Sequence, residues 1–237
     1  MIHALDDGAV RTLQIDRGGR KNAFDQEQYH GLGDALSAAA TDDAVHVVVV
    51  TGTGDAFSAG QDLAEMAQLA AGTATGPATG FPALLEALET FPKPLIAAVN
   101  GVAVGIGMTM LLHCDIVLVA DTARMRVPFS ELGVPPEAGS SVLFADAIGW
   151  QQAAELLFTS RWISAEEAAA MGLALRVVPA VELAGSTAEL AASIAQQSTW
   201  AVQTAKRLLL EGRGTRVQEA RRREETAFAE LFRKPVR

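Results

Sequence analysis

The chain has 237 residues, nearly half of them hydrophobic, enough for a large core without disulfides or structural metal. A net charge of −9 argues against a nucleic-acid surface, and one cysteine with four scattered histidines offers neither an internal disulfide nor a zinc spacing. The start Met1-Ile2-His3-Ala4-Leu5-Asp6-Asp7 lacks the basic flank and apolar run of a signal peptide, so the expectation is a soluble, cytoplasmic, metal-free protein.

Ala9 to Ile15 reads as a strand, followed by a polar, Gly-containing loop from Asp16 to Asn22. Asp25 is placed to cap a helix running to about Ala40, with Tyr29, Leu32, Leu36 and Ala39 on one face. His46 to Thr51 is a continuous β-branched run, the pattern of a strand covered on both faces. This β-loop-α-β opening predicts helices packed on a mostly parallel sheet. A Gly- and Ser-rich loop then leads to Asp62, a cap for a helix over Leu63 to Leu69. Ala71 to Gly80 is a small-residue tract read as a flexible surface loop, and Phe81 to Phe91 is a helix stopped by Pro92 and Pro94.

Pro94 to Met110 constrains the rest of the chain most. It reads as a strand from Leu95 to Val99, a turn at Asn100-Gly101, and a Gly-spaced entry into a short apolar helix. Three readings compete. A membrane span is opposed by Gly101, Gly105, Gly107 and the Asn-Gly turn, and by His113 and Asp115 just beyond. A dinucleotide fingerprint, with Asp121 as the ribose-binding acid, is weakened because Met110 stands at the third glycine position. An oxyanion-binding turn needs a second amide, and Ser58-Ala59-Gly60-Gln61 supplies one. If the two turns converge, the N–H groups of Gln61 and Ile106 point at one carbonyl oxygen; ordinary tight turns are the alternative.

Further on, Asp115 to Ala120 is a buried strand that Asp115 caps or pins, and Arg124 to Phe129 is a short extended piece. A loop from Ser130 to Ser141 leads into helices over Ser141 to Ile148, Trp150 to Phe158 and Ser164 to Met171, the last opened by a Ser164/Glu167 capping box. Arg176 to Val178 is a last short strand before helices over Leu183 to Gln197, Thr199 to Glu211 and Val217 to Phe232, and no internal repeat is visible. The run Arg221-Arg222-Arg223-Glu224-Glu225 reads as a solvated helix face, with a basic patch for a phosphorylated ligand as the sharper alternative.

Few residues offer acid or base chemistry. Glu137, in Pro135-Pro136-Glu137-Ala138-Gly139, is a carboxylate framed by apolar residues, where a raised pKa suits proton exchange near neutrality. Its alternative role is to complement the dipole of the helix from Ser141 to Ile148. Glu131 is a rival in a more polar setting, and Ser140 and Ser141 lack the G-x-S-x-G elbow of a serine hydrolase.

Taken together, Asn22-Ala23-Phe24, the run from Ala56 to Leu63, the run from Lys93 to Gly101, Val104-Gly105-Ile106-Gly107, His113 to Ile116, Ala120 to Ala123 and Ala168 to Leu173 resemble the crotonase (enoyl-CoA hydratase/isomerase) superfamily. The resemblance implies an α/β, ClpP/crotonase-like fold of repeated ββα units forming a spiral core. An acyl-CoA-binding core would span 1–195 and a C-terminal helical oligomerisation region 196–237, in a homotrimer or hexamer. It implies an oxyanion hole from the backbone N–H groups of Gln61 and Ile106. CoA and substrate contacts would fall on Lys21, Ala23, Ala59, Gly60, Gln61, Asp62, Leu63 and Gly105, and an acyl pocket would include Phe129 and Leu132. Thr109 and Phe129 stand where hydratases of the family carry glutamates, while Glu137 stands where peroxisomal-type delta-3,delta-2-enoyl-CoA isomerases carry one. The expectation is therefore an isomerase that moves a 3-enoyl-CoA double bond to position 2, with Glu137 as the sole acid/base. It needs no metal and no cofactor beyond the CoA of its substrate. A hydratase using Glu131, a non-catalytic acyl-CoA binding protein and a nicotinamide oxidoreductase are the alternatives.

Overall fold

Val47 to Val50 are all buried, as a β-branched run covered on both sides requires, and they lie near the middle of the larger of two sheets. The computed structural model describes residues 1–71, 73, 76 and 78–231. Its strands are β1 (Ile2–Asp7), β2 (Val10–Ile15), β3 (Val47–Gly52), β4 (Ala56–Ser58), β5 (Leu95–Val99), β6 (Val102–Val104), β7 (Ile116–Ala120), β8 (Arg124–Arg126), β9 (Ile163–Ser164) and β10 (Arg176–Val178). The larger sheet has the order β1-β2-β3-β5-β7-β10, parallel throughout except for the antiparallel β1-β2 hairpin. The smaller sheet has the order β4-β6-β8-β9.

The helices are α1 (Gln26–Thr41), α2 (Leu63–Ala70), α3 (Gly80–Thr90), α4 (Ile106–Thr109), α5 (Phe129–Leu132), α6 (Ser140–Ile148), α7 (Trp150–Thr159), α8 (Ala165–Met171), α9 (Leu183–Ala195) and α10 (Thr199–Leu231). Asp25 caps α1 by accepting from the Gln28 N–H at 2.9 Å, and Ser164 and Glu167 form the expected capping box on α8. Asp115 pins β5 to β7 by accepting from the Leu95 N–H at 2.7 Å.

Three times a strand of the larger sheet turns sharply into a short strand of the smaller one and then into a helix: β3-β4-α2, β5-β6-α4 and β7-β8-α5. They match the repeated ββα units that the resemblance implies. No sequence repeat accompanies them, and glycine closes only the first two of the three turns. At the first two, an added Cβ on Gly52 or Gly101 would come within 2.2 Å of the Ala56 carbonyl oxygen or 2.0 Å of that of Asp55, so only glycine fits. The third turn, Asp121 to Ala123, has no glycine.

Two alternatives weighed against in the sequence fail, and one expected helix break is corrected. The apolar run from Leu95 to Leu112 breaks into β5, β6 and α4, and among the described residues no helix is long and apolar enough to cross a membrane. Asp121, the supposed ribose acid, accepts from the Ala180 N–H at 3.0 Å. Chain 199–231 is one helix rather than two. Gly212 and Gly214 each cost about 1 kcal/mol there. Contacts to the core on both sides override that cost: buried Lys206 donates to Asp115 at 2.7 Å, Arg213 to the Leu112 carbonyl at 3.1 Å, and Val217 and Ala220 are buried. Much of the 71–80 tract lies outside the described residues, as does Phe232.

Candidate active site

The two glycine turns converge because their strands pair. β4 and β6 run parallel with Ala56 opposite Val102 and Ser58 opposite Ala103, so the turns that follow leave the same end of the smaller sheet. The approach is too close for side chains. A Cβ on Gly60 (φ +92°) would lie 2.8 Å from the Val104 carbonyl oxygen, and one on Gly107 would lie 2.5 Å from that of Ser58. Buried Ser58 accepts from the Gly60 N–H at 3.1 Å, and the Gly105 N–H donates to the Arg126 carbonyl at 3.1 Å, which fixes the second turn on β8. Ile106 opens α4, where N–H groups have no acceptor within the helix. Among the described residues neither the Gln61 nor the Ile106 N–H finds an acceptor.

The first turn is braced from the N-terminal side. Phe24 bridges Gln61: its N–H donates to the Gly60 carbonyl and its carbonyl accepts from the Asp62 N–H, both at 2.7 Å. Lys21 and Asn22 both adopt left-handed backbone. Fully buried Asn22 stabilises that bend, donating to the Ala56 and Thr53 carbonyls at 2.7 and 2.9 Å and accepting from the Arg17 N–H at 2.9 Å. Arg17 joins the caps of two helices, pairing with Asp62 at 2.6 Å and Asp25 at 2.9 Å. The Arg17 hydrogen bond holds the Asp62 carboxyl below the usual carboxylate range. Lys21 is exposed, 3.5 Å from Asp55, while Ala23 is buried. Lys21, Ala23, Ala59, Gly60, Gln61, Asp62 and Leu63 thus lie along one braced edge, with Leu63 projecting to solvent. Arg17 escapes sequence reasoning because a lone arginine in a polar loop carries no signal of which carboxylates it will meet.

Glu137 approaches from the loop between α5 and α6. It is partly buried, and no hydrogen bond to its carboxylate forms among the described residues. Burial pushes the carboxyl up to about 7, and the nearby Glu224 carboxylate adds to the rise. Its charge acts on the buried Tyr29 phenol, which burial has already raised well above 10. The Tyr29 ring stacks on Phe24 at 5.0 Å, and Phe24 is the residue bridged to Gln61. His113, just beyond α4, donates from Nε2 to the Ala138 carbonyl at 2.8 Å; burial pushes this imidazole down to about 4, so it is neutral. The residue after Glu137 is thus bonded to His113, at the end of the turn that follows α4.

The helix-dipole alternative for Glu137 fails, because Glu224 of α10 takes that position: its carboxylate accepts from the N–H groups of Gly139 and Ser141 at 2.8 and 2.9 Å. Nor is Arg221 to Glu225 simply a solvated face. Arg221 pairs with Glu89 at 3.0 Å and Glu224 is buried, while Arg222, Arg223 and Glu225 face solvent. Glu131 lies on the exposed side of α5, paired with Arg126. On the same helix Phe129 is buried and Leu132 is nearly half exposed. Thr109 is fully buried and carries no titratable group. Among the described residues no cluster of His, Cys, Asp and Glu fits a metal ion.

A sequence profile described as enoyl-CoA hydratase/isomerase matches residues 6–236. The chain belongs to the enoyl-CoA hydratase/isomerase family. Enoyl-CoA delta isomerase 2 of Rattus norvegicus is 40% identical over 181 residues, which cover 75% of this chain and 46% of the relative. The chain thus spans about half the length of that relative. The 2,3-dehydroadipyl-CoA hydratase of Escherichia coli (strain K12) is 33% identical over 222 residues, 94% of this chain and 86% of the relative. The crystal structure of an enoyl-CoA hydratase/isomerase from Pseudoalteromonas atlantica T6c superposes with a TM-score of 0.91 at 34% identity, covering 97% of this chain and 90% of that one. Relatives named as an isomerase and as a hydratase thus match this chain at 40% and 33% identity.

Proposed function

We propose that this enzyme moves the double bond of a 3-enoyl-CoA to position 2. One observation carries the reading: the site offers a single carboxylate poised for proton exchange, Glu137 at about 7, with Thr109 and Phe129 where the resemblance puts hydratase glutamates. The Glu137 carboxylate takes a proton from C2. The electron pair delocalises through the adjacent double bond into the thioester carbonyl, giving a dienolate whose oxygen accepts from the Gln61 and Ile106 N–H groups. The protonated carboxyl then returns the proton at C4 and leaves a double bond between C2 and C3. One carboxyl serves both steps, no water is consumed, and the thioester supplies the acidity of the C2 proton. One oxyanion donor is typically worth about 3–4 kcal/mol.

The E. coli relative supports hydration of a 2-enoyl-CoA as a second reading. Isomerisation of a 3-enoyl-CoA, followed by the absorbance of the conjugated product, separates the two when run beside water addition to a 2-enoyl-CoA. Faster water addition would overturn the isomerase reading. Acyl-CoA is the substrate class on either reading, with the Lys21 edge and residues 59–63 receiving the CoA moiety and Phe129 bordering the acyl chain. Exposed Trp150, Phe158, Trp200 and Leu209 support a trimer or hexamer, with the region from residue 196 onward packing between copies. Sedimentation at several concentrations tests this, and a monomer at all of them would sink it.

A further inference from the structure

Glu137 has no side-chain hydrogen bond among the described residues, so its placement rests on the backbone that carries it. That backbone is an uncommon one: Ala138 and Gly139 both adopt left-handed conformations, with φ of +61° and +70°. For alanine this costs roughly 1–2 kcal/mol, so surrounding contacts must hold it in place. Three hydrogen bonds do so. His113 donates to the Ala138 carbonyl, and the two Glu224 oxygens accept from the Gly139 and Ser141 N–H groups. Glu224 is 7% exposed and comes from α10, the last helix among the described residues.

We propose that Glu224 is a positioning residue that clamps the left-handed loop carrying Glu137. The inference rests on the reading of Glu137 as the acid/base. With both oxygens committed to backbone N–H groups, Glu224 occupies the α6 terminus and leaves Glu137 directed elsewhere. The Glu224 carboxylate also adds to the rise that burial gives the Glu137 carboxyl. The other titratable groups around the loop are distinguishable from it. His113 is neutral, Tyr29 stays protonated, Arg213 reaches the Leu112 carbonyl, and Arg221 pairs with Glu89 of α3, a carboxyl also raised by burial.

The test is a carboxyl 13C NMR titration of full-length protein, with the Glu137 signal assigned by its loss in Glu137→Gln, run alongside isomerase kinetics. Glu224→Gln should lower the Glu137 midpoint by roughly half a pH unit or more. It should also lower kcat roughly tenfold through misplacement of the loop, with KM changed less. Glu224→Asp keeps the charge but shortens the reach, so kcat should fall while the midpoint stays near that of the wild type. A helix cap with only a structural role would lower the melting temperature without moving the midpoint. An unmoved midpoint in Glu224→Gln, or unchanged kcat in Glu224→Asp, overturns the proposal, and the Asp variant decides alone if the Gln variant does not fold. If the wild type isomerises nothing, the proposed reaction fails on its own, and the NMR midpoint still decides for Glu224.

Discussion

Glu137→Gln should trade activity for stability, and the raised Glu137 carboxyl sets the size of the stability gain. Glutamine keeps the shape of the side chain and removes its charge. The Glu137 carboxyl rises from 4.5 to about 7 in the fold, so the folded state holds a proton that the unfolded chain releases between those values. Stability from this group is therefore fully present below pH 4.5 and is lost as pH rises through about 7. The shift corresponds to about 3 kcal/mol at most, since the side chain keeps some solvent contact. For a chain of this length that is roughly 5–10 °C in melting temperature. Glu137→Gln should melt higher than wild type at about pH 8.5 and close to it at about pH 4.5, while isomerisation falls at least ~10²-fold and acyl-CoA binding persists. Melting curves across pH, isomerase kinetics and acyl-CoA titration calorimetry check each part. Identical pH dependence of melting in the two proteins, or normal turnover by the variant, would refute the reasoning.

Gly107→Ala should force the two turns apart, because the new Cβ would lie 2.5 Å from the Ser58 carbonyl oxygen. A loss of about 1–3 kcal/mol in urea melts and of roughly 10²-fold in kcat is expected. Asn22→Ala removes hydrogen bonds to Arg17, Thr53 and Ala56 at a left-handed position. It should cost roughly 2–4 kcal/mol and weaken acyl-CoA binding, which equilibrium melts and calorimetry would show. Lys206→Met leaves Asp115 without its buried partner and frees one anchor of α10, for a predicted cost of about 3–5 kcal/mol. Amide exchange in 199–231 should rise with it, and unchanged protection there would count against the anchoring role.

The central strands β3, β5 and β7 of the larger sheet are legible because burial on both faces demands apolar runs such as Val47 to Val50 and Leu95 to Val99. β1 is not, since Leu5 to Asp7 are exposed and the strand owes its place to pairing with β2. β4, β6 and β9 have two or three residues each, too few for any periodicity, and exist through pairing with one another and with β8. The break expected between Glu211 and Val217 follows glycine propensity, which packing of both flanks against the core overrides.

At the site, local sequence carries what is local. Gly60 and Gly107 mark the turns because a Cβ has no room where two backbones nearly touch, Gly105 because its φ is +53°, and the apolar frame of Pro135-Pro136-Glu137 marks the carboxyl that burial raises. What tertiary structure alone decides is which groups meet across long separations. Arg17 finds Asp62 across 45 residues, and Glu224 finds the Gly139 N–H across 85. Hydrogen bonds of that kind depend on where a strand pairing or a helix face carries an already ordinary residue. The sequence therefore determines the fold family and the glycines of the two turns, while the geometry determines that a glutamate of α10 holds the loop on which Glu137 stands.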